Sequence, residues 1–481
     1  MKIGNRPLDQ AYAESIKPVR NRMRAYQYDC ILDALLRHLN SPLSKSKVEY
    51  LQSLPWVAER LILWLLSDNP AQYKSQLIDD NALKQLIQMA WNSANSLYKN
   101  DIKIMSLKLY MRQLLLPQAP YQVSLDTHAF ALQLYFISKL EPNSRLRKYL
   151  DERAGMSIEQ YFQIALLFWT HTNTEKPWFN GDYIRQLMPL FSENNLNTFL
   201  NSIAFSKQKL QKLLHERVIE LDEWFQPTVF YRTPCILHEN AIIPFGRPTL
   251  RRYFENLIGD WLEDENGQCL RDYDELVSKY VQSGLERCKA NFLGENQIKE
   301  ATNTTKRVCD FLIDEVDCYV LLEVKNKSLT KKIPTSSNPI PLKSRLNSTI
   351  VSAKEQLDDT REACSQLPQY KNRICYRVIV TKADLWLGDI QSVLVDYDEP
   401  LPIWIMSLAD LDNLVELVAQ KKTTFCGFFQ DLTERQKTAE FSVFSAGMLF
   451  EKAPYKLDGL PKHLTSETDK IFDVLKKKII N

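Results

Sequence analysis

The chain has 481 residues, of which 44% are hydrophobic and 25% charged, and it carries a net charge of +2. That length exceeds what one compact core holds, so two or three domains are expected, and the apolar content excludes a globally disordered chain. The near-neutral balance excludes a protein whose whole surface is basic, so any polyanion-binding patch must be local.

Nine cysteines are scattered from Cys30 to Cys426 without a CxxC pair, which argues against a disulfide framework and a zinc ribbon and for a reducing compartment. The N-terminal MKIGNRPLDQ lacks the apolar core of a secretory signal. The longest greasy runs, LILWLL near residue 63 and IALLFW near 166, are far shorter than a bilayer span. A cytoplasmic protein with no membrane partner is expected.

Only Gly4, Gly155 and Gly181 of the twelve glycines precede residue 245. Few turns needing positive φ suggest long helices. VEYLQSLPWVAERLILWLLSD, DNALKQLIQMAWNSANSLY, IEQYFQIALLFWTH and FSKQKLQKLLHERVIELDEWF carry apolar residues at helical spacing, with Asp80 and Ser206 as capping candidates. Residues 1–222 are expected to form an all-helical domain. Pro227, Pro234 and Pro244, with Pro248 just after, and alternating β-formers between them mark residues 223–247 as an extended connector or small sheet element. A helix is predicted over TLRRYFENLIGDWLEDENG and another over about 273–292. Strands are then predicted near 297–301 and at 308–313, 318–325, 373–381 and 402–407. Helices fall at about 347–363 and over ADLDNLVELVAQ. This order, αβββαβ and onward over residues 248–430, reads as an α/β sheet with helices on its faces. Residues 431–481 form a C-terminal helical extension ending in SETDKIFDVLKKKII.

The informative stretch is VCDFLIDEVDCYVLLEVKNK, residues 308–327. If the Asp314–Asp317 turn closes with Ile313 opposite Cys318, Asp310 falls opposite Leu321. Asp310, Leu321, Glu323 and Lys325 then share one face, with Glu323 the diagonal neighbour of Asp310. Phe311, Ile313, Val320, Leu322 and Val324 make the other face. Two carboxylates reaching inward over that gap can share a small hard cation such as Mg²⁺, for which Mn²⁺ substitutes. Lys325 is placed to hold or deprotonate an attacking water, or to neutralise charge on phosphate oxygens. The competing reading is an amphipathic hairpin with a solvated charged face.

Asp310, twelve intervening residues and then Glu323-Val324-Lys325 resemble the core motif of the PD-(D/E)XK nuclease superfamily, the restriction-endonuclease-like fold, with Cys309 in the place of its proline. The resemblance covers residues 248–420. It implies that Asp310 and Glu323 are metal ligands and Lys325 the catalytic lysine of a Mg²⁺-dependent nuclease acting on DNA, with RNA not excluded. Superfamily members often add an acid from the first helix, for which Glu255 is favoured and Glu286 is the competitor. Some place a glutamine after the motif, matched by Gln356. The tyrosine that follows it in one subgroup is Thr360 here, which leaves that subgroup in doubt.

Between Val324 and Lys354 there is no acidic residue, while Lys325, Lys327, Lys331, Lys332, Lys343, Arg345 and Lys354 are basic. TKKIPTSSNPIPLKSR reads as a loop. Lys327, Lys331, Lys332, Lys343 and Arg345 beside a phosphodiester site would bind backbone phosphates in a salt-dependent way; the alternative is a solvated linker. No P-loop, GxGxxG, HExxH or GxSxG occurs. The combined expectation is an all-helical part joined to a metal-dependent endonuclease. A helical domain fused to such a nuclease resembles bacterial anti-phage defence effectors, in which the appended part senses a protein trigger or partner, and a homo-oligomer is compatible with that role. The rivals are a site-specific restriction-type endonuclease and a catalytically inactive nucleic-acid-binding module.

Overall fold

The computed structural model describes residues 6–41, 47–96, 107–122, 128–174, 176–215, 221–263, 267–326, 339–394, 397–437 and 446–480. The chain is mostly helical with two mixed sheets and divides into two units. The first comprises Met1–Ile104, Leu114–Trp261 and Ser466–Asn481, and the second Met105–Gln113 and Leu262–Thr465. These boundaries differ from the sequential blocks expected at 222, 247 and 430. Residues 223–261 and the C-terminal stretch belong with the first unit, because local periodicity reveals an element but not the core that it joins.

In the first unit the helix Pro55–Ser67 is buried nearly all round, as expected for a helix that is apolar on every side. VEYLQSLPW is not one helix but two, Lys47–Gln52 and Pro55–Ser67. Leu54 adopts left-handed φ at 55° and Pro55 opens the second helix, because proline disfavours helical backbone in the residue before it. The helix Asp80–Ser96 is capped one residue earlier than expected, with the Ala82 amide donating to Asp79 Oδ1 at 2.7 Å.

Glu59 and Arg60 are buried within the Pro55–Ser67 helix. The Tyr121 and Thr228 hydroxyls donate to the Glu59 carboxylate, whose burial raises its pKa. Arg60 donates to the Gln226 carbonyl at 2.7 Å, and Trp64 Nε1 donates to Glu223 Oε1 at 2.5 Å. These bonds fasten residues 223–228 to the helical core, so the expected connector is an integral part of the unit.

The first unit is also not all-helical. It contains β1 (Phe179–Asn180), β2 (Ala204–Ser206), β3 (Cys235–His238) and β4 (Ala241–Pro244), in the order β1-β4-β3-β2. The β3–β4 hairpin occupies the centre, antiparallel, with β2 parallel to β3. Strands of two to four residues are too short to leave a period-2 pattern, and so β1 and β2 went unseen in the sequence.

The second unit is built on β5 (Phe292–Gly294), β6 (Phe311–Asp314), β7 (Cys318–Lys325), β8 (Ile374–Thr381) and β9 (Ile403–Ser407), in that spatial order. β5, β6 and β7 run antiparallel to their neighbours, and β7, β8 and β9 are parallel. The strand expected near 297–301 is instead the helix Glu295–Thr302. Its start is capped by the Gly294 amide donating to Gln297 Oε1 at 2.9 Å. It buries only Ile298, a one-residue contact that fits a short helix and not an alternating strand.

Residues Pro339–Leu346, expected as loop, form a helix with both prolines in its first turn, where their missing amides cost nothing. A π-helical turn, Asn347–Val351, leads into the helix Ser352–Ser365. Ala353, Leu357, Thr360 and Cys364 form the buried stripe of that helix, and its apolar members share a core with Leu312, Tyr319, Leu321 and Ile379. β7 is buried on both faces over its first six residues, the burial expected of a strand beside parallel neighbours.

Cys318, the first residue of β7, is disulfide-bonded to Cys426 in the helix Phe425–Gln436, with Cα atoms 6.1 Å apart and 108 residues between them in sequence. The other seven cysteines are free thiols. A pairing over that separation leaves no spacing signal, so this single link was not visible in a sequence that argues against a disulfide framework. Among the described residues no helix is long and apolar enough to cross a membrane.

Leu357 is fully buried between the Ser352–Ser365 helix and the sheet. Leu357→Ala should cost about 2–5 kcal/mol and lower the urea midpoint of the second unit's transition.

Candidate metal centre

The observed hairpin pairs Asp314 with Tyr319, Ile313 with Val320, Leu312 with Leu321 and Phe311 with Leu322. The register therefore differs from the expected Ile313–Cys318 pairing by two residues. A two-residue shift leaves every side chain on its face. It also moves the acids closer in register, because one further step places Asp310 opposite Glu323 instead of diagonal to it. The longer pairing is favoured by Arg373, which donates to Asp314 Oδ1 and to the Cys318 carbonyl, both at 2.7 Å. Asp314 can therefore stay in the strand while the turn closes through the Glu315 amide and the Cys318 carbonyl.

Glu323 is only 2% exposed, which rules out the solvated charged face. Lys325 Nζ donates to Glu323 Oε1 and, at 3.0 Å, to Gln356 Oε1 on the Ser352–Ser365 helix. The Val324 amide donates to Asp310 Oδ2 at 2.7 Å. The structure thus brings Asp310, Glu323, Lys325 and Gln356 together from three elements. Burial raises the Asp310 pKa, against the Val324 amide and Lys325, which lower it. Glu323 is pushed up to about 8, first by burial and then by the Asp310 charge, with Lys325 and the Asp310 backbone amide opposing.

Glu323 Oε2 is buried and has no hydrogen-bond partner among the described residues. An unpartnered carboxylate oxygen beside a second carboxylate is costly unless a proton or a cation neutralises it. The donor set is oxygen from two carboxylates, which fits a hard divalent ion such as Mg²⁺ that retains several waters. Asp310 and Glu323 would hold it.

A further acid was missed in the sequence. Asp274, on the helix Gln268–Arg287, accepts a 2.7 Å bond from Asn326 Nδ2, the residue directly after Lys325. Desolvation raises its pKa, and Asn326 and Lys325 pull it down. DYDELV carried the signal, since Asp274 adjoins the buried stripe of Tyr273 and Val277, but helical spacing cannot reveal which acid meets the end of a strand. Glu286 lies on the same helix twelve residues on, about 18 Å along its axis, exposed and bonded to Gln282. Glu255, favoured from the sequence, belongs to the first unit, where it is buried and ion-paired with Arg251 at 3.1 Å.

Lys343 and Arg345 are exposed in the last turn of the Pro339–Leu346 helix. Lys327, Lys331 and Lys332 lie outside the described residues. Two other groups of metal-ligating side chains have their atoms within 4.8 Å of one another. In one, Cys318 and Cys426 are joined and Glu315 caps the helix at Phe425 and Cys426. In the other, His238 bonds Asp33 at 2.6 Å beside Glu239. No family model, curated protein or solved structure matches the chain.

The raised Glu323 pKa sets a pH dependence. Without metal the folded protein retains a proton on Glu323 that the unfolded chain releases near the ordinary carboxylate value of 4.5. Its contribution to stability is therefore full below about 4.5 and is lost as pH rises through about 8. A bound cation displaces that proton, so stabilisation by Mg²⁺ should grow between pH 6 and pH 8 and level off above about 8. Melting temperatures with and without Mg²⁺ across this range check it; Glu323→Gln should abolish both the Mg²⁺ effect and its pH dependence.

Proposed function

We propose that the second unit is a Mg²⁺-dependent phosphodiesterase that cuts nucleic acid, with DNA as the substrate. The observation that carries this reading is the buried Glu323 carboxylate, one oxygen on Lys325 and the other unpartnered, across the register from Asp310. The motif likeness to PD-(D/E)XK nucleases agrees with it, as does the position of Asp310 just ahead of β6 beside Glu323 and Lys325 of the adjacent strand β7.

In this reading Asp310 and Glu323 hold the ion, which when bound supplies positive charge for the phosphate and a readily ionised water. Lys325 stands at the end of β7, partly exposed, where its ammonium can meet both the attacking water and the charge that builds on phosphate oxygens. Gln356 restrains that ammonium through the 3.0 Å bond, so that its direction is set before substrate arrives. Asp274 and Asn326 border Lys325 and would steer either water or a second cation. Lys343 and Arg345 offer backbone-phosphate contacts that carry no sequence information.

Plasmid DNA incubated with the full chain and Mg²⁺ should be cleaved, and EDTA should stop cleavage. Lys325→Ala should reduce the rate about 10²–10³-fold with an unchanged melting temperature, and Glu323→Ala should abolish it. A defined fragment pattern would favour a site-specific restriction-type enzyme. Metal-independent DNA binding, with no cleavage in Mg²⁺ or Mn²⁺, would favour the inactive binding module.

Asp274→Asn gives a separate check. It should weaken cleavage while leaving Mg²⁺-induced stabilisation largely intact, because Asp310 and Glu323 remain. Equal loss in both assays would make Asp274 a ligand of the same ion.

A further inference from the structure

We infer that Thr360 is a positioning residue for the Asp310–Glu323 pair. It closes a ring of hydrogen bonds that joins the segment before β6, the end of β7 and the Ser352–Ser365 helix. The inference rests on the metal-centre reading above and adds to it the group that sets where Asp310 stands.

The sheet does not hold Asp310 directly, because the β6–β7 ladder begins at Phe311. Two bonds hold it instead. On one side the Asp310 carboxylate takes the Val324 amide at 2.7 Å. On the other, the amide of the preceding residue, Cys309, donates to Thr360 Oγ1 at 2.9 Å. Thr360 Oγ1 donates in turn to the Gln356 carbonyl at 2.7 Å. The Gln356 side chain accepts from Lys325 Nζ at 3.0 Å, and Lys325 follows Val324 in the chain. The path therefore returns to its start through Asp310, Val324, Lys325, Gln356, Thr360 and Cys309.

A threonine within a helix commonly bonds the carbonyl four residues back and does nothing more. Here the same hydroxyl also accepts from a segment 51 residues away in sequence. Thr360 and Cys309 are both fully buried, so water cannot replace the lost partner. Without the hydroxyl, the Cys309 amide is a buried donor with nothing to bond, and the ring opens beside Asp310. Gln356 belongs to both halves of the ring: its carbonyl orders the acid and its side chain orders the amine. A change at Thr360 should therefore be felt at the ion, although Thr360 itself does not touch it.

The test is Mn²⁺ binding to the full-length chain, followed by the electron paramagnetic resonance of the free ion, for wild type, Glu323→Gln, Thr360→Val and Thr360→Ser. Wild type should bind and Glu323→Gln should not. Thr360→Val should weaken binding about 10–100-fold, the usual effect of losing a partner behind a metal ligand. Thr360→Ser, which retains the hydroxyl, should restore most of the affinity. A Thr360→Val chain that melts lower yet binds Mn²⁺ like wild type would show a merely structural role and overturn the inference. If wild type and Glu323→Gln bind alike, the metal-centre reading falls, and the positioning role falls with it. Should the valine chain not fold, Thr360→Cys preserves the volume with a weaker acceptor. A smaller loss of affinity is then expected, and wild-type affinity in folded Thr360→Cys would equally overturn the inference.

Discussion

The second unit is organised around a carboxylate placed where a carboxylate is expensive. Glu323 sits near the end of a strand whose first six residues are buried, and an ionised acid in such a place must be paired or neutralised. Lys325 satisfies one oxygen, and the other has no partner among the described residues. Burial and the facing Asp310 together hold the Glu323 proton to about pH 8. A folded chain would not preserve that arrangement for stability, since a buried apolar residue of similar volume would serve at least as well. Below about pH 8 a proton neutralises the group; in the proposed reading a cation takes that proton's place.

The sheet topology is what allows such a group to exist. β7 is the strand at which the antiparallel half of the sheet meets the parallel half. Its antiparallel partner brings Asp310 to Glu323 across a tight turn. Its parallel partner requires a crossover, and that crossover is the helix which delivers Gln356 and Thr360. The same helix buries Leu357 and Ala353 against the sheet, so apolar packing and the polar contacts to Lys325 and Cys309 depend on one placement. Two arginines elsewhere in the unit have acidic or carbonyl partners. Arg377, 1% exposed, meets Asp358, Glu399 and the Tyr397 hydroxyl, and Arg373 meets the hairpin turn, each through its terminal nitrogens while its buried Nε has no hydrogen-bond partner among the described residues.

The first unit follows another logic. Its core is helical, and residues 223–228, which lead into the β3–β4 hairpin, are stitched to it by a buried polar network around Glu59, Arg60 and Glu223. Prolines at 227, 234, 244 and 248 read in the sequence as breaks. In the fold they shape a segment that the helices need in order to satisfy their own buried charges.

Several features of this protein were legible in its sequence. Helices such as Ile158–Thr172 and Leu408–Ala419, and strands β7, β8 and β9, follow from periodicity and β-branched content, which are local properties of the chain. The sharing of one face by Asp310, Glu323 and Lys325 followed as well, because alternation survives an error of two residues in register. Tertiary structure decided the rest. Whether Asp310 lies opposite or diagonal to Glu323 is set by where the turn closes, and there Arg373, from the segment just before β8, bonds Asp314 and the Cys318 carbonyl. The helical acid beside Lys325 in the second unit is Asp274, which went unnoticed because helical spacing fixes a face but not the strand end that the face meets. The Cys318–Cys426 link and the Thr360–Cys309 bond join positions 108 and 51 residues apart, and contacts of that range are set by packing alone.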